Sequence, residues 1–117
     1  MDLNAWKAQL RKGAAELAVL AVLDREETYG VDLLERIQEG GGLDLSGGSI
    51  YPLLNRLQNE GKIRGRWVED EDASHPRKYY ALTKTGRAVL AEMVMEWVQF
   101  EAGMRMLLGE EAGRARK

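Results

Sequence analysis

Cysteine is absent from the 117 residues, and His75 is the only histidine. No disulfide framework, thiolate nucleophile or sulfur-built zinc site can therefore form. There is no H-E-x-x-H pair and no phosphate-binding glycine motif ahead of a helix; the glycines at 40–42 lack a following Lys-Ser/Thr and read as a turn. His75 stands beside Pro76 in a polar loop, whereas a specific metal or proton-sensing site needs partners converging from rigid elements. No enzyme, cofactor or metal is expected. Strong positive charge is missing too: a formal net charge of −2 excludes broad, non-specific coating of nucleic acid, which relies on displacing counterions, but leaves room for a local basic patch. No apolar run reaches membrane-spanning length, and the opening M-D-L-N-A-W-K lacks the basic-then-apolar order of a secretory signal. No membrane partner and a cytoplasmic location are expected.

What is present amounts to one domain, with 44% hydrophobic residues available for a core. The chain is organised around residues 46–62, S-G-G-S-I-Y-P-L-L-N-R-L-Q-N-E-G-K. Ile50, Leu53, Leu54 and Leu57 fall at the spacings of one helical face, and Tyr51, Asn55, Arg56, Gln58 and Asn59 stay largely off it. Amide, guanidinium and phenol groups on the outward face suit base edges and phosphates, so the stretch reads as a recognition helix. Either Ser46 or Ser49 can cap its start, and Gly61 closes its end. Pro52 lacks an N–H: it is comfortable if the cap is Ser49, and a kink is expected there if the cap is Ser46.

Residues 4–23 read as a first helix whose second half is apolar all round and therefore buried on more than one side. In its first half Trp6 and Leu10 sit among Lys7, Gln9, Arg11 and Lys12, as though laid on something beyond the domain; Trp6 could instead be a lone aromatic at a loose end. Residues 24–28 read as a polar connection. A second, shorter helix then runs over 29–39, with Thr28 as its cap and Val31, Leu33, Leu34 and Ile37 inward. The two short helices form a helix-turn-helix. After Gly61, residues 63–68 and 77–82 read as the strands of a hairpin around the loop E-D-E-D-A-S-H-P, the wing of a winged helix-turn-helix. Thr83 caps a last helix with a regular apolar stripe through Leu90, Met93, Trp97, Phe100, Met104 and Leu107, widened by Val94 and Val98. The preceding elements already supply a core, so this stripe is expected to form a homodimer rather than fold back on its own subunit. The fold class expected is mainly α with a small β-hairpin: a winged helix-turn-helix domain over 1–82, a dimerisation helix over 83–108 and a disordered tail over 109–117.

In this order the chain resembles the PadR family of bacterial transcriptional regulators, and in particular its small subclass with a single C-terminal helix. The resemblance rests on Y-G-V-D-L-L from Tyr29, S-G-G-S-I-Y-P-L-L-N-R-L from Ser46, E-G-K-I from Glu60 and P-R-K-Y-Y-A-L-T-K-T-G from Pro76. It implies a homodimeric winged helix protein, usually a repressor, bound to a double-stranded operator. Carried over by position, Ser46, Ser49, Tyr51, Asn55 and Arg56 face DNA, Tyr29 and Gly30 lie near a phosphate, and Lys62, Arg64, Arg77 and Lys78 are phosphate-directed, with Tyr51 and Arg56 foremost. The wing tip departs from the pattern: Glu69, Asp70, Glu71 and Asp72 repel phosphates, which places wing contact at the base of the hairpin. In the family's multidrug-sensing members a tryptophan of the C-terminal helix stacks on flat apolar compounds. By that likeness Trp97, with Met93 and with Trp6 from the partner, is the expected effector site; Trp97 as dimer packing alone is the opposing expectation. A winged helix can also serve as a protein-interaction module without specific DNA binding, and the acidic tip favours that alternative.

Overall fold

The computed structural model describes residues 2–40, 43, 45–69, 71 and 74–109. Among them are four helices and three strands in the order α1 (Asn4–Arg25), β1 (Thr28–Tyr29), α2 (Gly30–Glu39), α3 (Gly47–Asn59), β2 (Ile63–Val68), β3 (Arg77–Leu82) and α4 (Lys84–Leu108). The mainly α architecture with a small antiparallel sheet is as expected. The sheet itself has one more strand than a hairpin, in the order β1-β3-β2. Thr28 pairs with Tyr80 and Tyr29 with Tyr79, so part of the expected polar connection is an edge strand. Two residues are too short for any alternation to register. From residue 110 on, the expected tail lies outside the described residues, as do Asp70 and Asp72 of the wing tip.

The core gathers Val19, Leu20 and Leu23 of α1, Leu33 and Ile37 of α2, Ile50, Leu54 and Leu57 of α3, Ile63, Tyr80 and Leu82 of the sheet and Leu90 of α4. The inward face of α3 is the one its spacing gives, with Leu53 half-buried beside it. Val31 is a correction: it stands 55% exposed, while Leu33 and Ile37 carry the inward face of α2. Gly30, Leu33 and Ile37 set the buried line of this helix, and Val31 lies about 100° round from Gly30, toward the solvent side.

Helix ends follow from local chemistry. Thr28 is not the cap of α2; that place falls to Tyr29. The Thr28 hydroxyl, buried in β1, donates instead to Asp32, which also accepts from Arg36 Nε at 2.7 Å. For α3 the cap is Ser46, and the helix continues through Pro52 to Asn59, so the missing proline N–H withholds one bond from the Gly48 carbonyl inside the helix. At the other end Gly61 has φ +76°, and the Lys62 and Gly61 N–H groups donate to the carbonyls of Leu57 and Gln58, a Schellman closure. Thr83 caps α4 as expected: its hydroxyl accepts from Gly86 N–H at 3.0 Å and donates to the Gly61 carbonyl at 2.6 Å. The end of α3 and the start of α4 are thereby tied together.

The far half of α4 stands off this core. The single chain measures 56 × 33 × 21 Å with a radius of gyration of 16.7 Å, against about 13 Å for a compact domain of this length.

Candidate nucleic-acid interface

The polar side of α3 presents Tyr51 and Asn55 one turn apart, both exposed, with Ser46 and Ser49 exposed at its start. The Ser46 hydroxyl donates to Ser49 Oγ at 3.3 Å. Tyr51 is held from beneath: a Cβ built on Gly30 would lie 2.6 Å from its ring and 2.8 Å from its hydroxyl. Gly30 is thus the floor on which the Tyr51 ring rests at the start of α2. Tyr29, Gly30, Tyr51, Arg77 and Lys78 are brought together around one cleft of about 540 Å³, which Val31, Trp67, His75, Pro76 and Tyr80 complete. Arg77 lies over the Tyr29 ring at 4.4 Å, a distance at which a guanidinium and a ring face attract. Tyr29 in turn meets Tyr79 edge-on at 5.4 Å.

Arg56 and Lys62 are not in that company. Arg56 Nη2 donates to Glu16 of α1 at 2.8 Å, and Lys62 Nζ to the other oxygen of the same carboxylate at 2.9 Å. Glu60 also pairs with both, at 3.2 and 2.9 Å. Helical spacing put Arg56 on the outward side correctly, but only the fold shows that α1 passes there with a carboxylate. A phosphate at Arg56 or Lys62 has to share or displace Glu16 and Glu60. Arg64, exposed on β2, lies within electrostatic reach of Glu27. Its neighbour Arg66 is clamped by both oxygens of Glu27, which fastens the wing to the turn after α1.

Burial pushes the Glu16 pKa up, but the Lys62 and Arg56 hydrogen bonds and charges outweigh it, so the carboxyl titrates below its ordinary range. Such a group adds stability that is complete above its unfolded pKa, about 4.3, and fades as the pH falls through the lower folded value. Glu16→Gln is therefore expected to lower the urea midpoint at pH 7, with the gap to the wild type shrinking by pH 3. Parallel midpoints across that range would remove Glu16 as a contributor.

Trp67 is the residue that pattern reading passed over. It stands 70% exposed on β2, opposite Lys78 of β3. Its only signal in sequence was a large aromatic in a strand otherwise rich in Arg.

A second apolar region lies on the other side of the molecule. Leu10, Leu17, Met93, Trp97 and Phe100 line a groove of about 620 Å³ between α1 and α4, with Glu16, Glu92 and Glu96 among its polar edges. The Trp97 and Phe100 rings meet at 5.8 Å, tilted by 37°. Trp6, 59% exposed, is outside this groove in the single chain.

A tri-helical unit whose third helix is polar outward, followed by a hairpin, defines a winged helix-turn-helix protein. The sequence profile of the transcriptional regulator PadR-like family matches residues 19–92. A PadR family transcriptional regulator from Eggerthella lenta is 32% identical and superposes with a TM-score of 0.80 over 92% of each chain. A PadR-like transcriptional regulator from Bacillus cereus is 35% identical, with a TM-score of 0.78 over 86% of this chain and 97% of its own. The chain belongs to the PadR-like family. It is accordingly a DNA-binding transcriptional regulator and not an enzyme. Among the described residues no helix is long and apolar enough to cross a membrane.

Proposed function

We propose that two copies join through α4 and the first half of α1 and present two α3 helices to a pseudo-palindromic operator, acting as a repressor that a small molecule releases. The observation that carries this reading is the apolar row on α4: Val94, Trp97, Phe100 and Leu107 are 45%, 41%, 56% and 84% exposed in the single chain. Met104 belongs to the same row, and Leu3, Trp6 and Leu10 of α1 are exposed as well. An apolar surface of that extent supports a subunit interface. Residues 1–82 then form the DNA-binding part and 83–108 the dimerisation helix.

In that dimer Ser46, Ser49, Tyr51 and Asn55 face the major groove, with the half-sites about 34 Å apart. Tyr29, Gly30, Arg64, Arg77 and Lys78 serve the backbone, and Arg56 and Lys62 chiefly hold α3 against α1. Flat compounds enter the α1–α4 groove against Met93 and Trp97, with Trp6 reaching in from the partner; Glu92 and Glu96 favour cationic ones. Release follows if the ligand prefers a dimer with a different helix spacing. Sedimentation together with gel shift on the region upstream of the protein's own gene tests the reading. A dimer with a retarded, competitor-resistant band is expected; a monomer at micromolar concentration with no specific band at low or moderate salt would leave a protein-interaction module as the answer. For the effector site, quenching of tryptophan fluorescence by planar dyes is expected to be lost in Trp97→Ala, and an unchanged response would take Trp97 out of it.

Gly30→Ala is expected to lower operator affinity about tenfold, roughly 1.4 kcal/mol, with the melting temperature nearly unchanged. The added methyl meets only the swinging end of the Tyr51 ring. Tyr51→Ala should cost a similar amount and the double variant little more, because both act through one ring. Additive losses would show that Gly30 and Tyr51 act separately.

A further inference from the structure

We infer that the outer face of α4 joins one dimer to another, through an antiparallel pair of α4 helices, so that dimers fill neighbouring DNA sites cooperatively. The inference rests on the dimer proposed above and goes beyond it, since it concerns the side of α4 that such a dimer leaves in water. The helix carries two apolar rows. One runs from Leu90 through Met93 and Trp97 to Phe100 and faces the core and the α1–α4 groove. The other follows Ala88, Ala91, Met95, Val98, Ala102 and Met106, again at spacings of three and four. Trp97 and Met95 are two residues apart and hence about 200° apart round the helix, so the rows lie on nearly opposite sides. A partner laid on the first does not reach the second. Met95, Val98 and Met106 are 64%, 59% and 81% exposed, and the three alanines are exposed as well.

The order of residue sizes says what covers this row. About a point midway between Met95 and Val98 the pattern reads the same in both directions: Ala91 answers Ala102, and Met95 answers Val98. Two copies laid antiparallel therefore set alanine on alanine in the outer layers, where the backbones approach closely, and Met95 on Val98 in the inner ones. Charge selects that direction. Parallel copies would set Arg105 against Arg105 at the end of the row, whereas antiparallel copies set it over Ala88, with its charge still held by Glu101 of its own helix at 2.8 Å. Along one flank Glu92 then meets Gln99 of the second copy, carboxylate against amide. Glu92 and Glu101 beside the row also repel an anionic lipid surface. A helix patch about 27 Å long covers about 500 Å² on each copy, so about 1,000 Å² in all, the lower limit for a specific contact. Association is accordingly weak in free solution and is completed where DNA already holds two dimers near one another.

Sedimentation of the intact protein over rising concentration should show dimers passing to tetramers, with a dissociation constant on the order of 100 μM. Met95→Glu should weaken that step at least about thirtyfold, since a carboxylate loses its hydration between the helices, while the dimer and its grip on a single site stay as in the wild type. On a duplex carrying the retarded upstream segment twice, the wild type should fill both copies together and Met95→Glu one at a time. The chain has no cysteine, so direction is read by oxidative cross-linking. Ala91→Cys and Ala102→Cys mixed together should form a disulfide between the two variants, and neither should cross-link alone, its two copies standing about 16 Å apart along the antiparallel pair. Cross-linking of each variant with itself overturns the antiparallel pairing. A dimer that stays a dimer at every concentration, independent filling of the two DNA copies by the wild type, or tetramers that survive Met95→Glu overturn the inference and leave the dimer reading standing. Flotation with phosphatidylcholine vesicles, lost in Met95→Glu, assigns the row to lipid and overturns it too. A monomer throughout removes the proposed dimer and the inference together.

Discussion

Gly86→Ala is expected to lower the melting temperature by about 10 °C, although alanine is the better helix former by up to about 1 kcal/mol. A Cβ at Gly86 would lie 2.0 Å from the Lys62 carbonyl oxygen, 3.0 Å from its carbon and 2.8 Å from a Leu82 methyl. Two of these three atoms are backbone, so no side-chain rotation relieves the overlap. That carbonyl also accepts the Thr83 N–H at 3.1 Å, and moving α4 aside weakens the whole junction of Thr83, Gly61 and Lys62. Overpacking of this kind costs about 1–3 kcal/mol or more, which exceeds the propensity gain and corresponds to several degrees per kcal/mol for a chain of this size. Gly103, in the same helix with nothing within 4 Å of a built Cβ, supplies the contrast: alanine there should hold or raise the melting temperature. Equal effects at the two glycines would show that propensity, not contact, decides.

In the dimer proposed above, Phe100→Glu is expected to weaken dimerisation at least a hundredfold and operator binding by a comparable factor. Phe100 lies mid-way along the α4 row, 56% exposed in one chain, and a carboxylate placed there must lose its hydration when the partner covers it. A hundredfold corresponds to about 2.8 kcal/mol, well within the cost of burying an unpaired charge. Operator affinity falls with it because a half-site held by one subunit loses the advantage of the tethered second. Sedimentation measures the first effect and gel shift on whole and half operators the second. A variant that remains dimeric would place the interface elsewhere, and one that dissociates yet binds the whole operator undiminished would show that subunits read it independently.

Long periodic segments were legible in sequence because burial repeats along them: the inward faces of α1 and α3 are where the spacing put them, whereas the α4 stripe divides, Leu90 being buried in the chain's own core with Met93 packed against it and not on the exposed row as expected. The cap Thr83 and the closing Gly61 were legible because each has a local chemical reason, whereas the choice between Ser46 and Ser49 was left open, and Ser46 holds the cap position without a side-chain bond to the helix N–H groups. Contacts between distant segments were not legible. Nothing near Arg56 announces a carboxylate forty residues earlier, and nothing in Thr28-Tyr29 announces that β3 has an unpaired edge for it. Trp67 was hidden for a related reason, since an exposed aromatic in a strand looks the same in sequence as a buried one. The start of α2 failed differently: the buried residues are Gly30, Leu33 and Ile37, and Val31 lies a third of a turn round the helix from Gly30.

One carboxylate belongs to two neighbourhoods. Glu16 edges the α1–α4 groove and on its other side grips Arg56 and Lys62. As a single helix spans both, a guest in the groove, were it to bind as proposed above, would press on one side of a rod whose other side holds the reading head through a clasp of opposite charges. Loosening the clasp would then uncouple guest from operator while leaving each still able to dock.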